Sequence, residues 1–167
     1  MTEDLQTGDP VDEIQVAWAR ERPDLPVGSI AVITRIHRLS RELGRRRAAL
    51  LRRHGTDAST LDLLGVLRRS GPPYELTAGE IARRTRITTG GVSQRLARAE
   101  RAGLVERRRA EGDSRSVTVR MTAAGMRLLD ATVAELFAEE EATLDALSGA
   151  ERRQLADLLR RYLNSLA

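Results

Sequence analysis

Residues 76–121 read LTAGEIARRTRITTGGVSQRLARAERAGLVERRRAEGDSRSVTVRM, and this stretch decides the fold. The segment Thr77-Ala-Gly-Glu80 is a capping box, which predicts that a helix begins at Thr77. A second short helix follows after a tight turn and is predicted to end at Gly103, since glycine suits the residue after a helix. Alternating apolar and polar residues then predict two strands, over 104–109 and 116–121. Two helices and a hairpin in this order indicate a winged helix-turn-helix.

Positive charge concentrates in the same stretch. It holds eleven arginines and five acidic residues, a net charge of +6, whereas the whole chain of 167 residues carries +4. The other residues therefore sum to −2. A basic module on a slightly acidic frame is the electrostatic footprint of a nucleic-acid-binding protein.

The composition argues against several classes of protein. Aromatic residues make up 2% of the chain against 41% for all hydrophobic residues, which favours an aliphatic core between helices. There is no cysteine for disulfides or metal thiolates, and His37 and His54 lack metal-binding spacing. No nucleophile or phosphate-loop motif occurs, so we expect neither enzymatic activity nor a cofactor or metal. The acidic N-terminus does not resemble a signal peptide and no apolar run reaches membrane-spanning length, which predicts a cytoplasmic protein without a membrane partner.

Helical patterns flank this stretch on both sides. Asp9-Pro10 is typical of a helix start, Thr122 is a candidate cap, and Ser148-Gly-Ala-Glu151 is a second capping box. The predicted outer helices cover residues 10–21, 29–53, 59–70 and 122–147 and the segment after Ser148. We therefore expect a mostly α fold with a small β-hairpin wing.

The terminal helices predict a homodimer. Apolar stripes such as Leu155, Leu159 and Tyr162 are more than a module of this size can cover, and a second copy related by two-fold symmetry would bury them. The alternative is a monomeric helical bundle packed on the wing. The expected organisation is N-terminal dimerisation helices with a candidate ligand pocket over 1–57, a DNA-binding module over 58–121, and C-terminal dimerisation helices over 122–167.

The second helix of the module is the candidate recognition helix. On a helical wheel, Val92, Leu96 and Ala99 face the core, and the opposite face carries small and polar residues. A recognition helix needs a small N-terminal end to enter a major groove, and then side chains that read base edges or bind phosphates. The candidate DNA-binding residues of this helix are Thr88, Thr89, Gly90, Ser93, Gln94, Arg98 and Arg101. Their alternative interpretation is a solvated helix face.

The predicted hairpin tip supplies two further candidates. Arg115 suits insertion into a narrow minor groove, where the negative potential is high. Asp113, two residues earlier, can pair with a neighbouring arginine and fix the angle of the wing.

These residues carry a resemblance to the MarR family of bacterial transcription regulators. The match runs from about Ala58 to Leu129, and its most specific part is the wing: Gly-Leu-Val-Glu-Arg, then Asp113-Ser-Arg115, then Val-x-Val-x-Met-Thr-x-x-Gly. Met121 stands where the family pattern has leucine. The resemblance implies a homodimer with interlocked terminal helices and two wings on a pseudo-palindromic double-stranded DNA operator. It implies a repressor that a small phenolic or anionic ligand releases.

A narrower resemblance is to the urate-responsive branch of that family. Members have an extra N-terminal helix with a tryptophan, an aspartate in an Asp-Leu-Leu-like helix, and two arginines in the module. The corresponding residues here are Trp18, Asp62, Arg95 and Arg107. The resemblance implies that these four bind a planar anion such as urate.

Each of the four ligand candidates has another interpretation. Trp18 can anchor a dimer core, Asp62 can form a salt bridge, Arg95 can bind phosphate, and Arg107 can add charge to the wing. The function predicted from sequence is a sequence-specific, ligand-responsive DNA-binding regulator. The alternative function is an architectural DNA-binding protein without a ligand.

Overall fold

A computed structural model describes residues 8–85, 88–110 and 113–166, with the side chains of Thr89 and residues 109–116 left out. The described part contains seven α-helices and three β-strands. The helices are α1 (Pro10–Glu21), α2 (Ile30–Arg53), α3 (Ala58–Arg68), α4 (Ala78–Thr85), α5 (Thr89–Arg101), α6 (Ala123–Ala142) and α7 (Gly149–Asn164). The strands are β1 (Glu75–Thr77), β2 (Val105–Ala110) and β3 (Asp113–Met121). The expectation of a mostly α fold with a small wing is confirmed.

The chain forms two compact units, of which the first ends at Ala49 and the second begins at Leu50. In the first unit, Asp9 caps α1 in a capping box with Asp12, and Pro10 opens the helix as predicted. Arg35 of α2 reaches both carboxylates, with Nη2 lying 3.0 Å from Asp9 Oδ1 and 2.7 Å from Asp12 Oδ1. The hydrogen bonds from Arg35 are the main reason that the pKa values of both carboxyl groups are lowered.

The second unit has an aliphatic core, as the composition predicts. Helices α3, α4, α5 and α6 pack around it together with the sheet. Its most deeply buried large side chains include Leu50, Leu63, Leu64, Leu67, Ile81, Val92 and Val119. At the end of α2, Arg53 Nη2 lies 2.6 Å from carboxylate oxygens of both Glu135 and Glu139 on α6. These ion pairs bind α6 to the last turn of α2.

The sheet has one more strand than the sequence predicts. The strand order is β1-β3-β2, and β1 pairs antiparallel with β3, with Leu76 opposite Val119. Strand β1 has three residues, too few for alternation to show in the sequence. The predicted hairpin is present as β2 and β3, and β1 extends it to a three-stranded antiparallel sheet that the sequence did not predict.

Helix α6 is shorter than predicted. It ends at Ala142 rather than near Leu147, and the Thr143 hydroxyl donates to the Glu140 carbonyl oxygen at 2.6 Å. A threonine side chain that bonds the preceding turn competes with helix continuation. The capping box at Ser148 then starts α7 as predicted. None of the helices that the structure describes is long and apolar enough to cross a membrane.

Candidate nucleic-acid interface

Helix α5 is the candidate recognition helix, and its buried face is the one predicted. Val92, Leu96 and Ala99 are 1%, 3% and 1% exposed. Thr88 caps the helix, with its side-chain oxygen accepting from the Gly91 amide at 3.3 Å. The cap and the buried stripe fix which face of α5 points outward.

The opposite face of α5 is exposed and combines small and polar residues. Gly90, Ser93, Gln94, Arg98 and Arg101 are all exposed. A Cβ atom added to Gly90 would meet no atom of another described side chain or segment within 4 Å, so nothing in the described part of the chain requires a glycine there. Glycine in a helix costs about 0.5–1 kcal/mol relative to alanine. Close approach of another molecule to the helix backbone at this position is a physical reason for a glycine there.

Two ion pairs hold the flanks of α5. Arg98 Nη1 lies 3.1 Å from Asp57 Oδ2, just before α3. Glu100 Oε2 lies 3.3 Å from Arg107 Nε on β2. Arg98 is one of the candidate DNA-binding residues predicted from the sequence, whereas Asp57 was not predicted as a site residue. Cap preference would identify Asp57 as a helix start, but the periodicity of the sequence carries no signal for its contact with α5.

The junction between α5 and the wing is tightly determined. Gly103 follows α5 with φ of 69°, a left-handed conformation that suits glycine. Thr122 donates from its hydroxyl to the Gly103 carbonyl at 2.7 Å and accepts from the Gly125 amide at 3.0 Å. A Cβ atom at Gly125 would lie 2.2 Å from the Leu104 carbonyl oxygen. This is the physical reason for the Gly-Leu-Val and Thr-x-x-Gly elements of the wing motif.

The wing itself is described up to its tip. Strand β2 pairs with β3, with Arg107 opposite Val119 and Arg108 opposite Thr118. Arg108 Nε donates to Glu106 Oε1 at 2.8 Å on one face of the sheet. The turn predicted at residues 111–113 falls mostly outside the described residues, because 111–112 are not described and Asp113 begins β3. The side chains of Asp113 and Arg115 lie outside the described part too.

The four candidate ligand residues lie on different elements. Asp62 is exposed on α3, Arg95 is half-buried on α5, and Arg107 is exposed on β2. Helix α5 packs against both α3 and β2, so these three residues occupy neighbouring elements of the second unit. Trp18 lies on α1 in the first unit and is 50% exposed. Arg107 already has a carboxylate partner, Glu100.

Helix α2 is a second basic element that the sequence analysis did not single out. It contains eight arginines and one acidic residue, Glu42, a net charge of +7 over 24 residues. The high arginine content of residues 35–53 could have identified this element. A net charge counted only over residues 76–121 leaves it out. The basic residues of the chain therefore form two concentrations rather than one.

These elements define the class of protein. A capped helix pair with an exposed and basic second helix that begins with glycines, followed by an antiparallel wing, is a winged helix-turn-helix.

Comparison with known proteins identifies the family. A sequence model described as the MarR family matches residues 54–116. The HTH-type transcriptional regulator PecS of Dickeya dadantii (strain 3937) is 34% identical over 151 residues, which cover 90% of this chain and 91% of PecS.

Solved structures agree on the fold. A MarR family protein from Bacillus stearothermophilus has a TM-score of 0.69 at 21% identity, covering 85% of this chain and 98% of that chain. A complex of S. aureus MepR with DNA also has a TM-score of 0.69, at 24% identity, covering 81% of this chain and 98% of that chain. The chain belongs to the MarR family of transcription regulators.

Proposed function

We propose that the protein is a homodimeric repressor that binds a pseudo-palindromic DNA operator through α5 and the wing, and that a small planar anion releases it. The DNA-binding part of this proposal rests on the exposed face of α5, where Gly90 has open space around it and Gln94 and Arg98 follow. Gln94 suits base-edge hydrogen bonds, and the arginines suit phosphates. Arg115 at the wing is the proposed minor-groove contact, positioned by Asp113.

The proposed dimer rests on α7. No residue of this helix is buried, and its apolar side chains are exposed to solvent in a single copy. The exposed large side chains are Leu155, Leu158, Leu159, Tyr162, Leu163 and Leu166, from 39% to 69% exposed. A contiguous apolar surface of this kind marks an interface. A second copy would bury it and would place two recognition helices on one operator.

The proposed ligand pocket takes Asp62, Arg95 and Arg107 of the second unit, and the role of Trp18, which lies in the first unit, stays a prediction from the sequence. Arg107 is opposite Val119, whose side chain is 1% exposed, so both residues belong to the sheet face that carries the core. Its neighbour Arg108 belongs to the other face, with Glu106. Arg107 therefore lies on the sheet face where it meets Glu100 of α5, and its side chain is 45% exposed.

Release of DNA would follow from the elements involved. Arg95 belongs to the recognition helix, and Arg107 is bound to it through Glu100. An anion that takes Arg107 from Glu100 would remove one of the two ion pairs that flank α5. A ligand that prefers the non-DNA-binding arrangement by about 1–3 kcal/mol would weaken DNA binding about 5–150-fold.

The experiment is a DNA-binding measurement with and without ligand. We expect urate, or failing that another small aromatic or carboxylate anion such as benzoate, to bind once per subunit by calorimetry and to weaken DNA binding. Arg107→Ala should lose ligand affinity, whereas Arg108→Ala, which removes the same charge from the other sheet face, should keep it. Equal affinity in wild type, Arg107→Ala and Asp62→Ala would place the pocket elsewhere. No binding of any such anion would favour the architectural alternative, which needs no ligand.

A further inference from the structure

The two carboxylate oxygens of Asp57 contact different parts of the protein. Oδ1 accepts from the Thr60 amide at 3.0 Å and from the Ser59 hydroxyl at 2.8 Å, which caps α3. Oδ2 lies 3.1 Å from Arg98 Nη1 on α5. The carboxylate is held in place by the start of α3 and presents its remaining oxygen to the recognition helix.

Arg98 is on the exposed face of α5, in line with Gln94. Its side chain is 60% exposed, so most of the guanidinium faces solvent even though one of its nitrogens meets Asp57. A guanidinium matches a phosphate in shape and charge as well as it matches a carboxylate. A DNA phosphate at this face would therefore compete with Asp57 for the same group.

We propose that, in the free protein, Asp57 takes the place of a DNA phosphate beside Arg98. DNA binding then exchanges the Asp57–Arg98 ion pair for a phosphate–Arg98 contact. The proposal rests on the proposed function, since it assumes that α5 meets DNA. The exchange has a cost that does not depend on base sequence. Arg98 must leave the Asp57 carboxylate before its guanidinium can meet a phosphate. Asp57 thereby lowers affinity for every duplex and sets how tightly the protein binds DNA overall.

The ionisation of Asp57 agrees with this role. Burial alone would raise the pKa of the carboxyl group. Hydrogen bonds from Thr60 and Ser59 and the positive charge of Arg98 outweigh burial, and the pKa lies below its ordinary value. The group is therefore negatively charged at neutral pH, as a competitor of phosphate must be.

The test variant is Asp57→Asn, because asparagine caps helices as well as aspartate but carries no charge. We expect the melting temperature to stay close to wild type and DNA to bind about two- to fivefold more tightly, the range that exposed ion pairs produce. The dependence of log K on log salt should steepen by up to about one unit. The gain should be the same on a duplex selected by the wild type and on a random duplex of equal length.

Two further variants separate this role from a general charge effect. Asp130→Asn removes a charge of the same sign from an exposed ion pair with Arg68, 3.5 Å away on α3, and should leave DNA affinity unchanged. Arg98→Gln should weaken binding, and adding Asp57→Asn to it should bring no further change, because the carboxylate acts through Arg98. A double-mutant cycle measures this coupling.

The outcomes are distinct. Unchanged or weaker binding by Asp57→Asn, or a gain that persists in Arg98→Gln, would overturn the exchange while leaving DNA binding by α5 intact. An equal gain in Asp130→Asn would reduce the effect to net charge and would also overturn it. If the wild type selected no duplex from a random library, the proposed function would fail, and the exchange with it.

Discussion

Single residues decide how closely α5 can approach another surface. Gly90 lies at the start of the exposed face with open space where a Cβ would be, and Gly91 follows it. Two adjacent glycines weaken the first turn of a helix, and the structure shows no intramolecular contact that requires the first of them. We propose that the value of Gly90 lies in a close approach of DNA to the helix backbone.

Gly90→Ala should separate folding from function. We expect the free energy of unfolding to rise by up to about 1 kcal/mol, since alanine favours the helix and meets nothing within the fold. DNA affinity should fall, because a methyl group enters the closest part of the interface. Denaturant unfolding and a DNA titration measure the two effects. Gly44→Ala, at an equally open position in α2, should stabilise without weakening DNA binding. DNA binding by Gly90→Ala at the wild-type level would show that close approach does not explain the glycine.

At the scale of elements, the wing is fixed by the junction that Gly103, Thr122 and Gly125 form. The Thr122 side chain bonds both glycines, one through its carbonyl and one through its amide. The Leu104 carbonyl then lies where a side chain at position 125 would begin. The angle between α5 and the sheet depends on this contact, and so does the position of the wing beside the recognition helix.

Gly125→Ala should therefore destabilise the second unit. The added Cβ would meet backbone rather than a flexible side chain, and relieving such an overlap costs about 1–3 kcal/mol. Thermal unfolding should show a clear loss of melting temperature. Gly79→Ala, which adds the same methyl group in open space on α4, is the matched control and should be neutral or stabilising. An unchanged melting temperature in Gly125→Ala would mean that the junction yields without cost.

Local signals account for most elements that the sequence predicts correctly. The caps at Asp9, Thr122 and Ser148 act within three residues, so the helix starts they predict are the ones observed. Strand β1 and the pair Asp57–Arg98 depend on contacts between segments distant in sequence, and no period or cap encodes them. The outward face of α5 was predictable because three buried residues define the opposite face. The ion pair between Arg107 and Glu100 was not predictable, because no sequence pattern selects Glu100 from the other acidic residues near the wing.

At the scale of the whole molecule, the proposed assembly rests on α7. This 16-residue helix has no buried residue in a single copy, although leucine and tyrosine recur along it. Exposed apolar surface of this extent favours association through the hydrophobic effect. We therefore propose that the C-terminal part folds together with dimerisation rather than before it.

Removal of the residues after Leu147 should give aggregated or unfolded protein. Light scattering on the full chain should report roughly twice the 18.5 kDa of one copy. A gentler variant, Leu155→Glu with Leu159→Glu, should lower the dimer fraction at a given concentration, because it places charge in the interface. Gln154→Glu changes an exposed polar residue of the same helix and serves as the control. A stable truncated monomer that binds DNA would contradict the dimer.

The central claim is that α5 reads DNA as one of two symmetry-related recognition helices. Binding-site selection from a random duplex library, run in parallel on the wild type and on Gln94→Ala, tests it most directly. We predict an enriched sequence with two inverted half-sites about 10 base pairs, or one helical turn, apart. Gln94→Ala should change the preferred base at matching positions of both half-sites, by about 1–3 kcal/mol each. No enriched sequence, a single half-site, or the same consensus from both proteins would contradict the account.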